Sequence, residues 1–276
     1  MAIFTEYNQP MIKFFRHIRQ RLISAPPPER NGSVRAGNRF SKYLLYAIGE
    51  IILVVIGILI ALQISNWNDK QKLQAYEEKL LSQLQQDLVL NAKDLELNIS
   101  LQKRTIQSID ILLEHFESNE PYADSLEVHF SNSALWTKFI VNAGAYKTIE
   151  AKGLDFISDV ELRDLVFRIY EGNLNWLQQM EEIVINHTEN FRQNYASKYF
   201  AEWNSVEIDN GNYVEGKTSL RDYELFLGDE GAAYRYFLSA TKGEVEVLLD
   251  ISEGFLDDNR QGIELIKNIL SDTKDD

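Results

Sequence analysis

The chain contains no cysteine among its 276 residues. This absence excludes disulfide bonds, a thiolate nucleophile, cysteine-ligated zinc and a lipid anchor on an N-terminal cysteine. It assigns no compartment, because a cysteine-free chain suits a reducing or an oxidising environment equally well.

Histidine is also scarce, and no catalytic or metal-binding signature is present. None of the four histidines has the His-x-x-x-His or Glu-x-x-His spacing of a metal site. The chain has no Gly-x-Ser-x-Gly, no phosphate-binding loop and no Gly-x-Gly-x-x-Gly. We therefore expect no enzyme, no metal and no cofactor. The histidines are His17, His115, His129 and His187, and we interpret His187 as a hydrogen-bonded core residue.

Pairs of adjacent carboxylates, such as Glu181-Glu182 and Asp257-Asp258, are candidates for acid–base chemistry. Neighbouring residues on a helix point about 100° apart, so neither pair forms a facing couple. We predict that both pairs lie on solvated helix faces.

The charge is divided unevenly between the two ends of the chain. Residues 1–42 contain eight basic and two acidic residues, so the remainder carries −20 against −14 for the whole chain. A basic end of this kind points to a membrane or nucleic-acid surface.

An apolar run follows the basic end. Its centre, residues 51–62, is only twelve residues long, but residues 43–62 are twenty residues with a single charge. Twenty helical residues span about 30 Å, which is the thickness of the hydrocarbon layer. Tyr43, Tyr46 and Trp67 lie where interfacial aromatic residues belong, and the basic flank predicts a cytoplasmic N-terminus. The rival interpretation, a cleaved signal peptide, lacks a small-x-small cleavage site.

Glu50 is the only ionisable residue of this predicted transmembrane helix, 43–64. On a helix it shares one face with Gly57 and Ala61, a small-x-x-x-small pair that permits close helix approach. Lipid offers a carboxyl group no partner, so we predict that this face contacts protein, either a second copy or a partner's helix. A hydrated bystander and an ion-coupling group are the alternatives for Glu50. The predicted interface comprises Tyr46, Glu50, Val54, Gly57 and Ala61.

Residues 1–24 form a basic, amphipathic segment before a proline-containing linker, 25–42. Their pattern is typical of a helix lying on anionic cytoplasmic lipid. A plain topogenic leader is the alternative, and nucleic-acid binding is disfavoured because no folded basic module accompanies the segment. The predicted membrane-surface residues are Lys13, Phe14, Phe15, Arg16, Ile18, Arg19 and Arg21.

Residues 65–276 are predicted to form an acidic, helical domain on the other side of the membrane. Apolar residues at steps of three, four and seven predict long helices over 68–118, 158–200 and 229–271, with a shorter helix near 142–152 that ends at Gly153. Ser158 and Glu161 have capping-box spacing. Alternation around Asn210-Gly211 indicates a small β-hairpin near 205–216 or a polar loop. The stripe of the second helix comprises Leu162, Val166, Ile169, Leu177, Met180, Val184, Phe191 and Tyr195.

These patterns predict an all-α fold. One transmembrane helix continues into an elongated antiparallel helical bundle, to which the β-hairpin is added.

Two stretches resemble a known family. MIKFFRHIRQRLI with FSKYLLYAIGEIILVVIGILIALQISNWND (40–69), and more loosely AGAYKTIEAKGLDFISDVELRDLVFRIYE (143–171), are similar to uncharacterised single-pass membrane proteins of Bacteroidota. The chain departs from that pattern by ten residues before Met11 and by its longer linker. The resemblance implies a Gram-negative inner-membrane anchor with a periplasmic helical domain, and it implies no activity.

We therefore expect a non-enzymatic scaffold or assembly protein of the inner membrane, with its N-terminus in the cytoplasm and its C-terminal domain in the periplasm. Its expected partners are the lipid bilayer and a second copy or another membrane protein, with no nucleic acid. One alternative is a periplasmic sensor or ligand-binding module that signals through a partner. The other is an accessory subunit of an ion-coupled complex that uses Glu50.

Overall fold

The computed structural model describes residues 37–118, 120–203, 207–209, 212–214, 216 and 218–275, and their side chains over 44–118, 120–203, 216 and 218–272. The structure divides into two compact units, Met1–Trp67 and Asn68–Asp276, which we call the span unit and the outer unit. The predicted basic segment 1–24 and residues 25–36 of the linker lie outside the described residues.

Helices dominate the described residues, and the all-α prediction is confirmed. The helices are α1 (Gly37–Ser118), α2 (Glu127–Asn132), α3 (Gly144–Lys152), α4 (Val160–Phe167), α5 (Leu174–Asn194), α6 (Ala196–Tyr199) and α7 (Ala232–Asp275). Short 3-10 helices cover Asp124–Leu126, Leu154–Phe156 and Tyr223–Phe226. As predicted, α1 carries both the apolar run and the first bundle helix, and it contains no proline.

The second long helix is predicted at the right place but is interrupted in the structure. A π-helical turn, Arg168–Asn173, separates α4 from α5. Tyr195 then leaves helical geometry with φ −126°, which ends α5 before α6. The turn includes Gly172, whose missing side chain weakens helical preference at that point.

The start of α4 corrects the predicted capping box. Asp159, not Ser158, is the N-cap, and its carboxylate accepts the Leu162 backbone N–H at 2.8 Å. Ser158 is engaged elsewhere, because its backbone N–H donates to Glu77 of α1 at 2.7 Å. The predicted end of the preceding helix is confirmed, since Gly153 follows α3 with a positive φ of 95° that suits glycine.

The predicted hairpin is present, and a second strand pair flanks it. Strands β2 (Glu207–Asp209) and β3 (Asn212–Val214) pair antiparallel, with Ile208 opposite Tyr213. Strands β1 (Phe200–Trp203) and β4 (Thr218–Leu220) also pair antiparallel. The sequence predicted helix up to residue 200 and gave no signal for this outer pair.

The outer unit is an antiparallel bundle with two hydrophobic clusters. Helix α7 packs antiparallel to α1. Gln85, early in the bundle part of α1, donates to the Ile263 carbonyl near the end of α7, whereas Asp110, later in α1, accepts from Lys242 near the start of α7. The larger cluster is aliphatic and joins α1, α3, α4, α5 and α7. The second cluster is mainly aromatic, and its fully buried rings are Phe130, Tyr199, Phe226 and Tyr234.

Residues 135–143, which we call the strap, contain no helix or strand and cross α1. Asp94 and Asn91 of α1 accept the backbone N–H groups of Ile140 and Asn142 at 3.0 and 2.7 Å. The Asn91 amide also donates to the Asn142 carbonyl at 3.0 Å. Side chains spaced one helical turn apart thus satisfy a segment that lacks its own secondary-structure hydrogen bonds.

Glu181 of α5 holds the strap from a second helix. It is 2% exposed and accepts the Phe139 backbone N–H at 2.6 Å. The prediction of a solvated face is wrong for this residue, although Glu182 beside it is exposed. Burial raises the pKa of the Glu181 carboxyl to about 7.

We expect Asn91→Ala to destabilise the outer unit by about 1–3 kcal/mol, because it leaves the Asn142 backbone N–H without its partner and removes one of the two hydrogen bonds to the Asn142 carbonyl. Chemical unfolding of the full chain in detergent, followed by circular dichroism, measures the change. Asn186→Ala is the matched control, since Asn186 is exposed on α5. Equal stabilities of the two variants would contradict the role given to the strap.

A second prediction concerns pH. The folded chain holds a proton on Glu181 up to about pH 7, whereas the unfolded chain releases it near pH 4.3. This group therefore contributes stability below pH 4.3 that is lost as pH rises to 7. We expect the free energy of unfolding of the parent chain, relative to Glu181→Gln, to fall by about 1–3 kcal/mol between pH 4.5 and 7.5.

Glu182→Gln is the control for that measurement, because the same charge is removed from an exposed neighbour. A difference between the parent chain and Glu181→Gln that stays constant over this pH range would show that Glu181 titrates normally.

Candidate functional site

The span unit presents an apolar helix segment that no described residue covers. Within α1, an 18-residue window has a mean hydropathy of 2.7 and none of it is buried. Among the described residues, this is one helix long and apolar enough to cross a membrane.

The single charge of this segment opposes membrane insertion by less free energy than the aliphatic side chains contribute in favour of it. Residues 44–64 contain fourteen Leu, Ile and Val side chains. At about −0.3 to −0.6 kcal/mol each, they favour insertion by about 4–8 kcal/mol. A charged side chain at the centre costs about 3 kcal/mol, and Glu50 lies near one end. The aliphatic side chains therefore outweigh the carboxyl group.

The predicted interface residues lie along one side of α1 and are exposed. Tyr46 and Val54 are 50% and 58% exposed, and Glu50, Gly57 and Ala61 are exposed as well. A methyl group added at Gly57 would meet no atom within 4 Å. No described residue packs on this face, so its contact with protein stays a prediction.

The predicted membrane-surface residues, from Lys13 to Arg21, lie outside the described residues. Their contact with lipid also stays a prediction.

The histidines of the outer unit serve structural contacts. His115 lies within hydrogen-bonding distance of the Pro121 carbonyl, and His129 contacts the Ser108 hydroxyl at 3.1 Å. His187 donates to Glu244 at 2.8 Å but is only half-buried, so the predicted hydrogen bond is confirmed and the core position is wrong. No cluster of metal-ligating side chains occurs among the described residues.

An open cleft of about 270 Å³, which we call the aromatic cleft, lies between α5 and the start of α7. Phe191 and Phe237 stack at its base, with ring centroids 3.9 Å apart. Tyr195 belongs to the predicted core stripe, but it is 54% exposed, and Tyr236 is 73% exposed. The lining residues are His187, Asn190, Phe191, Tyr195, Ala233, Tyr236 and Phe237.

A polar centre surrounds the π-helical turn. Arg168 makes two hydrogen bonds to Asp258 of α7, at 2.9 and 2.8 Å, and Asn173 donates to the same carboxylate at 2.6 Å. The hydrogen bond to Asp258 raises the pKa of the Arg168 guanidinium above its usual range. Asp258 is therefore an anchoring group rather than part of a solvated pair, and only Asp257 matches the sequence prediction.

Two tyrosines form a second polar network beside the same turn. The rings of Tyr146 and Tyr170 stack with centroids 4.2 Å apart, and Tyr146 donates to Glu171 at 2.7 Å. Burial raises the pKa of both phenols, which keeps them protonated as hydrogen-bond donors. Tyr170 donates to the Asn142 carbonyl at 3.2 Å, so this network also supports the strap.

Sequence reasoning named Glu181 and Asp258 but missed their structural roles, and it did not single out Glu171 or the aromatic cleft. Each depends on contacts between residues far apart in the chain, such as Glu181 with Phe139. The tyrosines at 146 and 170 fall within the second stretch of resemblance, which is the one signal that could have found them.

The comparisons with known proteins identify a family without a function. A family model described as a family of unknown function (DUF6090) matches residues 50–202, which include Glu50, the strap and α3 to α6. No curated protein and no solved structure matches the chain. Because the family model covers more than half of its residues, the chain belongs to the DUF6090 family.

Proposed function

We propose that this protein is a non-enzymatic scaffold or assembly protein that is anchored in the bacterial inner membrane. The observation that carries the proposal is the uncovered apolar segment of α1, on which Glu50 shares a face with Gly57 and Ala61. In this proposal the N-terminus lies in the cytoplasm and the outer unit lies in the periplasm, following the basic flank of the segment.

Association through the span follows from the carboxyl group. Within hydrocarbon, an unpartnered carboxyl group is unfavourable, and a partner helix with its own hydrogen-bonding group removes that cost. Gly57 and Ala61 allow a second helix to approach closely on the same side. A second copy satisfies both requirements, because its Glu50 forms a hydrogen bond with the first when at least one of the two carboxyl groups carries a proton.

The scaffold role is supported by what the polar groups of the outer unit do. Asp87, Asp94 and Glu181 each accept a backbone N–H, and Asp258 anchors Arg168. These carboxylates hold the fold together. Each of these four carboxylates has a structural partner, and the four do not come together at one site.

A second candidate function is a ligand-binding module that signals through a partner. The aromatic cleft favours it, because exposed tyrosines around a concave site resemble a binding surface more than a core.

Cysteine crosslinking tests the proposed association, and the cysteine-free chain supplies a clean background. We expect Val54→Cys to form a disulfide-linked dimer under mild oxidation in native membranes, because Val54 lies on the Glu50 face. Leu59→Cys is the matched control, since it is equally apolar and exposed but points to the opposite side of the helix. Gly57→Leu in the Val54→Cys chain should reduce the dimer at least severalfold by blocking close approach.

Equal crosslinking at positions 54 and 59 would indicate random collision and would contradict the proposal. Dimer formation that survives both Glu50→Leu and Gly57→Leu would show that neither the carboxyl group nor the small residues form the interface.

A further inference from the structure

We propose that the aromatic cleft of the outer unit binds a small organic cation, namely a quaternary ammonium compound or a protonated primary amine. This inference deepens the second candidate function and does not depend on association through the span. It rests on the rings, the charges and the size of the cleft.

The rings are the first observation. Phe191, Tyr195, Tyr236 and Phe237 line the cleft, and the two tyrosines leave 54% and 73% of their area uncovered. The face of an aromatic ring carries negative charge density, which attracts a cation. Because Phe191 and Phe237 face each other at the base, the two exposed tyrosines are the rings that offer a ligand their surface. Tyr195, the residue that follows α5, is thus exposed although the sequence pattern placed it in the core stripe.

The charges around the cleft also favour a positively charged ligand. None of the residues that line it is Lys or Arg. The Glu244 carboxylate lies behind its polar edge, where it accepts from the His187 ring that lines the cleft. Of the cations nearby in the chain, Arg192 pairs with Glu189 and Lys242 with Asp110. Arg235 donates to the Phe226 and Gly228 carbonyls.

The outer unit as a whole adds to this local field. Residues 68–276 carry a net charge of −19, because the eight basic and three acidic residues before them carry +5 of the total of −14. A concave site on a strongly acidic unit concentrates cations and repels anions. Anionic ligands are therefore disfavoured.

The size sets the class of ligand. A volume of about 270 Å³ lies just below the range of drug-sized pockets, which begins at about 300 Å³. It accommodates one small ammonium compound beside the two exposed tyrosines. The Asn190 amide and the His187 ring offer hydrogen bonds to a hydroxyl or amino group on the same ligand.

Isothermal titration of the full chain in an uncharged maltoside detergent tests this proposal with two probes of equal shape. Choline is the cation, and 3,3-dimethylbutanol is its neutral counterpart with carbon in place of nitrogen. We expect choline to bind at one site, with saturation below about ten millimolar, and the neutral alcohol to bind about tenfold more weakly. No saturable binding of choline, or equal binding of the two probes, would overturn the proposal.

Variants place the binding in the cleft. Tyr236→Ala and Glu244→Gln should each weaken choline binding severalfold to tenfold, because one removes a ring and the other a negative charge. Trp176→Ala is the control, since Trp176 is 59% exposed on α5 but outside this cleft. Unchanged affinity in Tyr236→Ala, with the fold verified by circular dichroism, would overturn the assignment.

These results are independent of the crosslinking experiment. Failure of choline to bind leaves the dimer at Val54→Cys as expected, and absence of the dimer leaves choline binding as expected. The two proposals therefore fail separately.

Discussion

The apolar segment of α1 is not covered by any described residue, and its placement in lipid follows from this constraint. Fourteen aliphatic side chains between residues 44 and 64 are too many to leave in water, and the backbone of a helix needs no outside hydrogen bonds within lipid. A bilayer meets both conditions. Within lipid, Glu50 is the one ionisable group of the segment, and an unpartnered carboxyl group there is unfavourable. The proposed contact with a second helix removes this cost, and the small residues on the same face allow that helix to approach.

The outer unit is organised by the same helix in a different way. There, α1 contributes polar side chains as well as apolar surface. Asp87, Asn91 and Asp94 each accept a backbone N–H at or near the strap. Glu181 adds a further anchor from α5. Polar side chains that would be costly if buried alone are thus matched to a segment that needs partners for its backbone. The family model covers the strap and the helix residues that hold it.

The sequence predicted the elements that depend on local pattern. The end of the first bundle helix near Ser118, the helix ending at Gly153 and the hairpin around Asn210-Gly211 all follow from periodicity or turn chemistry. Contacts between distant residues could not be predicted in this way. The sequence places Glu181 on the surface beside Glu182, but in the structure it is buried against the strap. The sequence predicts Ser158 as a helix cap, but in the structure it bonds Glu77. The aromatic cleft arises only when α5 and α7 lie side by side.

Thiol labelling in spheroplasts tests the membrane assignment most directly, because cysteines exist only where they are introduced. Single substitutions at Ser41 and Asp272 place a thiol on either side of the apolar segment. With a membrane-impermeant maleimide, the account predicts labelling of Asp272→Cys in intact spheroplasts and of Ser41→Cys only after the membrane is permeabilised. Labelling of both positions in intact spheroplasts, or of neither, would contradict a single crossing with the N-terminus inside.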